Sequence, residues 1–453
     1  MSAPDAVYNG SYATGFTINA SVVTKFGLLP PAGTVLLFLL PQEAATIKNV
    51  AREQKQDANR TILVSGVRPR GHWAVKVSYR ELRLRLHRAA LIKLKYRRKF
   101  IWLGVLFLLV FFVQFVFPHY LNLGSAYNSY IFRPFQNLRN MVFGLLPFSL
   151  GDFVYLAGIL VALATIIRWS YYLFRYRAYR HDLAHLSLNT VITLGIVYLL
   201  FFVGWGGNYY KPTLSKFWQL SPSEMPVKES IVAYDSLLIS RLNALAPDYR
   251  GLNFSELNHR ARKYYQTLTD SRTKLRGLKA KASIYGYFMQ YLGVQGYYNP
   301  FTGEAQVNSA LPQFMLPFVI CHEMAHQTGI AAEDDANLLA YAICTIAPDS
   351  AFAYSGYFNL WLYAQSRLRE LDSVKARSMI DQLNPISLSQ LDTLRDIRRR
   401  YRSHVSTYSM ALYDQYLRLH NQKDGINSYD NVALSAWAWE LRRQKEEVEL
   451  KIP

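Results

Sequence analysis

Cysteine is nearly missing from this chain, which has two among its 453 residues, Cys321 and Cys344. A disulfide framework and a cysteine-based zinc ribbon are thereby excluded. If the two helices that carry them run antiparallel, the thiols either form one bridge or stay as buried, small apolar groups. Acidic residues are also scarce, 31 against 51 lysines and arginines, for a formal net charge of +20. Such a surplus ordinarily raises nucleic acid as a partner, but no recognised nucleic-acid motif accompanies it, so none is expected. Internal repeats and low-complexity tracts are absent too, which removes solenoids and filament-like arrays.

No uninterrupted apolar run reaches the ~20 residues of an ordinary membrane span. Three come close: Ile101–Phe117, broken only by Gln114 and closed by Pro118; a run centred on Phe153–Ile167; and a third from about Val191 to Trp205. Aromatic flanks such as Trp102, Trp169, Tyr171, Tyr172, Tyr209 and Tyr210 extend each run into the headgroup region. Three transmembrane helices in a lipid bilayer are therefore expected. Much of the positive charge lies just before the first, from Arg80 to Lys99, where it acts as a topology and anionic-lipid signal. Only Arg133 and Arg139 stand between the first two spans, whereas Arg168, Arg175, Arg177 and Arg180 precede the third. The positive-inside rule then puts the amino terminus in the cytoplasm and residues 207–453 on the extracytoplasmic side of the cytoplasmic membrane.

Three regions follow: residues 1–79, read as a weakly ordered extension or as upstream sequence joined by a misplaced start; residues 80–206, with the basic stretch and the spans; and 207–453, a soluble-type domain. Within the last, Tyr285–Asn308 is aromatic and glycine-rich with the turn signal Asn299-Pro300-Phe301-Thr302-Gly303, a hairpin pattern. Helical patterning dominates the rest.

The strongest chemical signal is His322-Glu323-Met324-Ala325-His326. Two imidazoles at i and i+4 share one helix face and can hold one zinc ion, while Glu323 stands where a general base takes the proton from an activated water. Pro317 suits the first turn of that helix and Gly329 its end. A catalytic site needs a third protein ligand. Glu333, at the start of the next helix, is expected there, with Asp335 and then Asp334 as alternatives; all three also suit the positive end of a helix. The strand Glu304, Ala305, Gln306, Val307, Asn308 reads either as an edge along which a substrate adds or as an ordinary hairpin arm. Tyr354, Tyr357, His404 and Tyr429 are candidates by type for an oxyanion donor. His119, His181 and His185 border the spans and suit interfacial packing better than a second metal site.

Three spans, the stretch Gly296 to Asn308, Cys321 to Gln327, Gly329 and Glu333 to Asn337 resemble the bacterial domain-of-unknown-function 3810 family over roughly residues 95–450, with Lys423 to Tyr429 also fitting. The resemblance implies an architecture and a zinc peptidase site but no known substrate. A more distant likeness to the gluzincin peptidases implies Glu333 as ligand and Asn337 as the residue that supports the site, although the separation of His326 and Glu333 is very short for that group. The expected fold is mainly α: three transmembrane helices, then a mostly helical zincin-like domain with a small hairpin or sheet. The expected function is a membrane-anchored zinc metallopeptidase acting on proteins or peptides. An inactive zinc-binding envelope scaffold or receptor, and a zinc hydrolase of a non-protein envelope amide, are the alternatives.

Overall fold

A computed structural model of the chain describes residues 61–68, 71–245, 247, 252–268, 275–402, 408, 411, 415, 429–445 and 452. It falls into two compact units, Met1–Val105 and Leu106–Pro453. In the first, β1 (Thr61–Arg68) and β2 (Gly71–Ser78) pair antiparallel from Thr61↔Ser78 to Arg68↔Gly71. No element was expected there, and the rest of the amino-terminal extension lies outside the described residues. Helix α1 (Tyr79–Phe111) follows directly and continues through a π turn at Phe112–Val116 to Pro118.

The fold is mainly α, with three long apolar helices and a small sheet. Tyr96–His119, Leu150–Phe174 (α4) and Tyr176–Gly204 (α5) are long and apolar enough to cross a membrane. At ~1.5 Å per residue each exceeds the ~30 Å of a bilayer's hydrocarbon core. Their side chains face outward: Phe107, Leu108, Val161, Ile167 and Leu194 are all exposed, where a soluble core would have covered them. Each helix also outruns the apolar run that announced it, because tyrosines and arginines continue the helical turns beyond the apolar core. Between the first two spans the chain forms α2 (Leu121–Tyr127), a π turn at Asn128–Phe132 and α3 (Arg133–Phe143).

Beyond the single turn Leu214–Phe217, the remaining described α-helices are α6 (Val227–Ala244), α7 (Phe254–Leu268), α8 (Gly286–Leu292), α9 (Leu316–Gln327), α10 (Glu333–Ile346), α11 (Ser350–Leu371), α12 (Ser373–Ile380), α13 (Pro385–Arg400) and α14 (Tyr429–Arg443). The sheet has the order β3-β5-β4, with β3 (Ala280–Ala282) parallel and β4 (Gly296–Asn299) antiparallel to the central β5 (Glu304–Val307). Every residue of helix α9 except His322 is buried, so the helix is enclosed on all sides, and its first six residues are all apolar. It packs against α10, α11 and the sheet. Trp361, Trp439, Tyr234 and Tyr341 fill the adjoining core, and Tyr341 donates to Glu440 at 2.8 Å.

The hairpin β4–β5 is a wedge between this domain and the span-bearing segment. Arg139 of α3, nearly fully buried, donates to the carbonyls of Pro300 (2.6 Å) and Gly204 (3.1 Å), and Gln136 donates to that of Gly303 (2.7 Å). Gly303 sits at φ 70°, the left-handed region that glycine reaches without strain. The first turn of α4 is held in the same way. Ser149 caps Asp152 N, and Glu304 accepts from Gly151 N at 2.5 Å, so a buried carboxylate satisfies amide groups that a helix start leaves orphaned. Lys281 pairs with Glu304 at 2.6 Å and donates to the carbonyls of Phe143 and Phe148.

Candidate metal centre

Helix α9 presents His322 and His326 one turn apart, and their Nε2 atoms lie 3.2 Å from each other. Glu333, first residue of α10, closes the group: its Oε2 is 3.2 Å from His322 Nε2 and its Oε1 is 3.5 Å from His326 Nε2. Four ligands around a zinc ion at 2.0–2.1 Å would be ~3.3 Å apart along each tetrahedral edge. The histidine pair matches that edge, each imidazole has one Glu333 oxygen at a similar distance, and one donor atom from each residue lies within 4.8 Å of the others, so the three side chains could hold one ion. Among the described residues the group contains these three and no fourth His, Cys, Asp or Glu.

The turn that brings α10 back is short because Gly329 makes it so. Its φ is 92°, its N–H donates to His326 O at 2.9 Å, and a Cβ there would stand 2.6 Å from Asn128 Oδ1. The expected helix end thus has a second constraint, a close approach of the segment before α3. Directly after it, the Ile330 carbonyl lies 2.7 Å from His326 Nδ1. A carbonyl only accepts, so Nδ1 carries a proton and Nε2 is the nitrogen that faces the group.

The electrostatics are those of buried charges in contact. Burial opposes the charged form of His326, but the Glu333 carboxylate overrides it and raises the pKa to about 9. Burial likewise works against ionised Glu333, and the His326 charge more than reverses this, holding the carboxyl well below its usual range. His322 is lowered, chiefly by burial. Glu323, beside the ligands, is pushed up to about 8 by burial. Its Oε2 has no hydrogen-bond partner among the described residues. A buried carboxylate oxygen left unpartnered beside three converging ligand atoms is the arrangement a general base needs.

Asp335 and Asp334, the alternatives for the third ligand, lie outside the group that His322, His326 and Glu333 form. Asn337 is one turn beyond Glu333 on α10, buried, with its side chain directed toward both His322 and Tyr363.

Of the two readings of the strand, the sheet supports the hairpin arm and corrects the substrate edge. Glu304, Ala305, Gln306 and Val307 are β5, the central strand, buried and paired on both sides, and Asn308 is buried just beyond it. No substrate can add there. The edges are β3 and β4, and Gly296 at the start of β4 adjoins the base: a Cβ would come within 2.7 Å of Glu323 Cδ. Candidate oxyanion donors also move. Tyr354 shares a hydrogen bond with Ser387 and Tyr357 packs on Tyr341; His404 and the side chain of Tyr429 lie outside what is described. The tyrosine that reaches the centre is Tyr363 of α11. Burial and then the Glu333 charge raise its pKa, against a hydrogen bond with Asn337. Nothing local in the sequence marks it. Cys321 and Cys344 are both free and buried.

A family model described as "Protein of unknown function (DUF3810)" matches residues 127–434. The chain belongs to that family. No curated protein and no solved structure matches it. The DUF3810 match begins at Tyr127, just before the segment that packs on Gly329, and ends at Leu434 within α14. It spans the three metal-group residues, the hairpin and the two later membrane-capable helices of this DUF3810 chain.

Proposed function

We propose that the chain is a membrane-anchored zinc-dependent metallopeptidase. The observation that carries this reading is the convergence of His322 Nε2, His326 Nε2 and the Glu333 carboxylate, one donor atom from each within 4.8 Å of the others, with the unpartnered Glu323 Oε2 beside them. A zinc ion bound there supplies a Lewis acid that activates water and polarises a carbonyl at neutral pH. Glu323 takes the proton from the attacking water and returns it to the leaving amine. The Tyr363 hydroxyl, kept protonated by burial, donates to the developing oxyanion. An extended polypeptide adds along the free edge of β4. The three-residue group leaves the fourth position that catalysis needs, which favours an enzyme over a scaffold with a closed structural ion.

The domain is placed on the extracytoplasmic side of the bacterial inner membrane. Support comes from the basic run ahead of the first span and from Arg175, Arg177 and Arg180 at the α4–α5 junction, which face one side by the positive-inside rule. The segment between the first two spans packs on the domain that follows the third, as the pair of crossings between them requires.

Glu323→Gln tests the activity. The variant should keep one zinc per chain and the wild-type fold while losing hydrolysis of a peptide library. Unchanged cleavage, or unchanged cellular phenotype with zinc still bound, would falsify the peptidase reading.

A further inference from the structure

Two elements outside the long helices turn large apolar side chains outward, and the first of them is amphipathic the wrong way round for a protein in water. Helix α3 buries its polar face, Gln136, Arg139 and Asn140, against the domain, and turns Phe135, Leu138, Met141 and Val142 outward. The exposed side continues into Leu145, 84% exposed, and Phe148. Helix α8 also turns aromatic side chains outward, Tyr287 and Phe288, exposed at 72% and 58%, while it buries Met289.

Both elements flank the first turn of α4. Phe148 meets Phe153 of α4 edge to face at 5.6 Å. Ahead of α8, Ile284 N donates to Asp152 Oδ2 at 2.8 Å and Tyr285 Oη to Asp152 O at 2.9 Å. The outward apolar surfaces are therefore continuous with the surface of a helix long enough to cross a bilayer. They converge at the level where that helix leaves the domain. A water-facing surface would put Arg139 outside and Leu138 inside; the inversion, the aromatic content and the continuity all fit a headgroup and upper acyl environment.

We propose that α3 with residues 144–148, together with α8, is a second membrane contact, seated in the lipid surface beside α4. The metal centre is then only a layer of side chains from lipid. Trp205, at the end of the third span, stands 5.8 Å from the His326 ring, Tyr297 of the edge strand rests on Tyr155 of α4 at 5.5 Å, and Gly329 abuts Phe132. Resting on the peptidase reading, this names the substrate class: polypeptides tethered in the same bilayer, cut close to its surface.

The test uses the full chain in phosphatidylcholine–phosphatidylglycerol nanodiscs, with a bimane label on Leu145→Cys, Tyr287→Cys or, as control, Val374→Cys, which is 80% exposed in the first turn of α12. Cys321 and Cys344 are buried and escape labelling. Doxyl lipids should quench the first two labels about twofold or more above the control, given an insertion depth of ~5–10 Å. Equal quenching at all three sites overturns the seat, and so does protection of Leu145 and Tyr287 from both doxyl lipid and aqueous iodide, which would mean a protein covers them. In the same nanodiscs, a membrane-anchored reporter peptide should be cleaved about tenfold faster than its unanchored form, through effective concentration. Equal rates remove the substrate class. No cleavage of either peptide, with quenching intact, removes the peptidase reading and leaves the lipid seat standing.

Discussion

The carboxylate of Glu304 receives the backbone N–H of Gly151 at 2.5 Å while its other oxygen pairs with Lys281 at 2.6 Å. A strand beside the metal helix is thereby fastened to the first turn of a membrane-capable helix. Both charged groups are almost completely buried. Removing one partner of such a pair typically costs about 3–5 kcal/mol, because the other charge stays behind without solvent. Glu304→Ala should therefore lower the midpoint of thermal unfolding in detergent strongly. Glu304→Gln, which keeps one acceptor, should lower it less. Were the residue part of a substrate-binding edge, where backbone groups bind, either change would leave the midpoint alone.

Gly296 makes room for the base. An alanine Cβ would stand 2.7 Å from Glu323 Cγ and Cδ, well inside contact distance, and the buried Glu323 side chain would have to move. The metal ligands come from α9 and α10 and are untouched. Gly296→Ala should thus retain zinc by metal analysis and lose about 10²-fold or more in turnover, the scale of a displaced general base.

What could be read in the sequence was what chemistry makes local. His322, His326, Gly329 and Glu333 lie close together in the chain, and each obeys a rule about one helix turn or one helix end. The hairpin was legible from Asn299 to Gly303 for the same reason. Which arm was the outer one was not, because that depends on β3, three residues just ahead of α8 that are too few to show a periodicity of their own. Arg139 looked like one of two stray charges between spans, yet it is the buried cation that joins α3 to the hairpin. Its hairpin partners lie about 160 residues away, and polarity alone suggests the opposite face. Tyr363 is one tyrosine among 33, and only the packing of α11 on α9 and α10 sets it apart.

Asp235 of α6 makes stability depend on pH. It is fully buried, accepts from Gln365 Nε2 at 3.0 Å, and burial pushes its carboxyl up to about 7. Between about pH 4 and 7 the folded chain holds this proton and the unfolded chain does not. Stability from this group therefore falls as pH rises through that window and levels off above it. Asp235→Asn removes the proton uptake and keeps an acceptor for Gln365. It should stabilise by an amount on the order of 2–4 kcal/mol at pH 8 and by little below pH 4. Unfolding midpoints measured across pH 4–8 check this; parallel curves for variant and wild type would refute it.

Tyr363 is the residue whose chemistry most separates an active centre from an inert one. Its hydroxyl lies near Glu333 and Asn337, and burial together with the Glu333 charge raises its pKa, so it keeps its proton at any working pH. A phenol held protonated beside three metal ligands can donate a hydrogen bond to an oxyanion but cannot act as a base. Tyr363→Phe leaves the ring packing and the ligands in place and removes that donor alone. Loss of one such donor ordinarily costs about 10²–10³ in kcat. The expected result is that loss with KM and zinc content nearly unchanged, read from steady-state kinetics and metal analysis on the same preparation. A change confined to KM would make Tyr363 a substrate contact instead, and a loss of zinc would make it a support for Asn337 and His322.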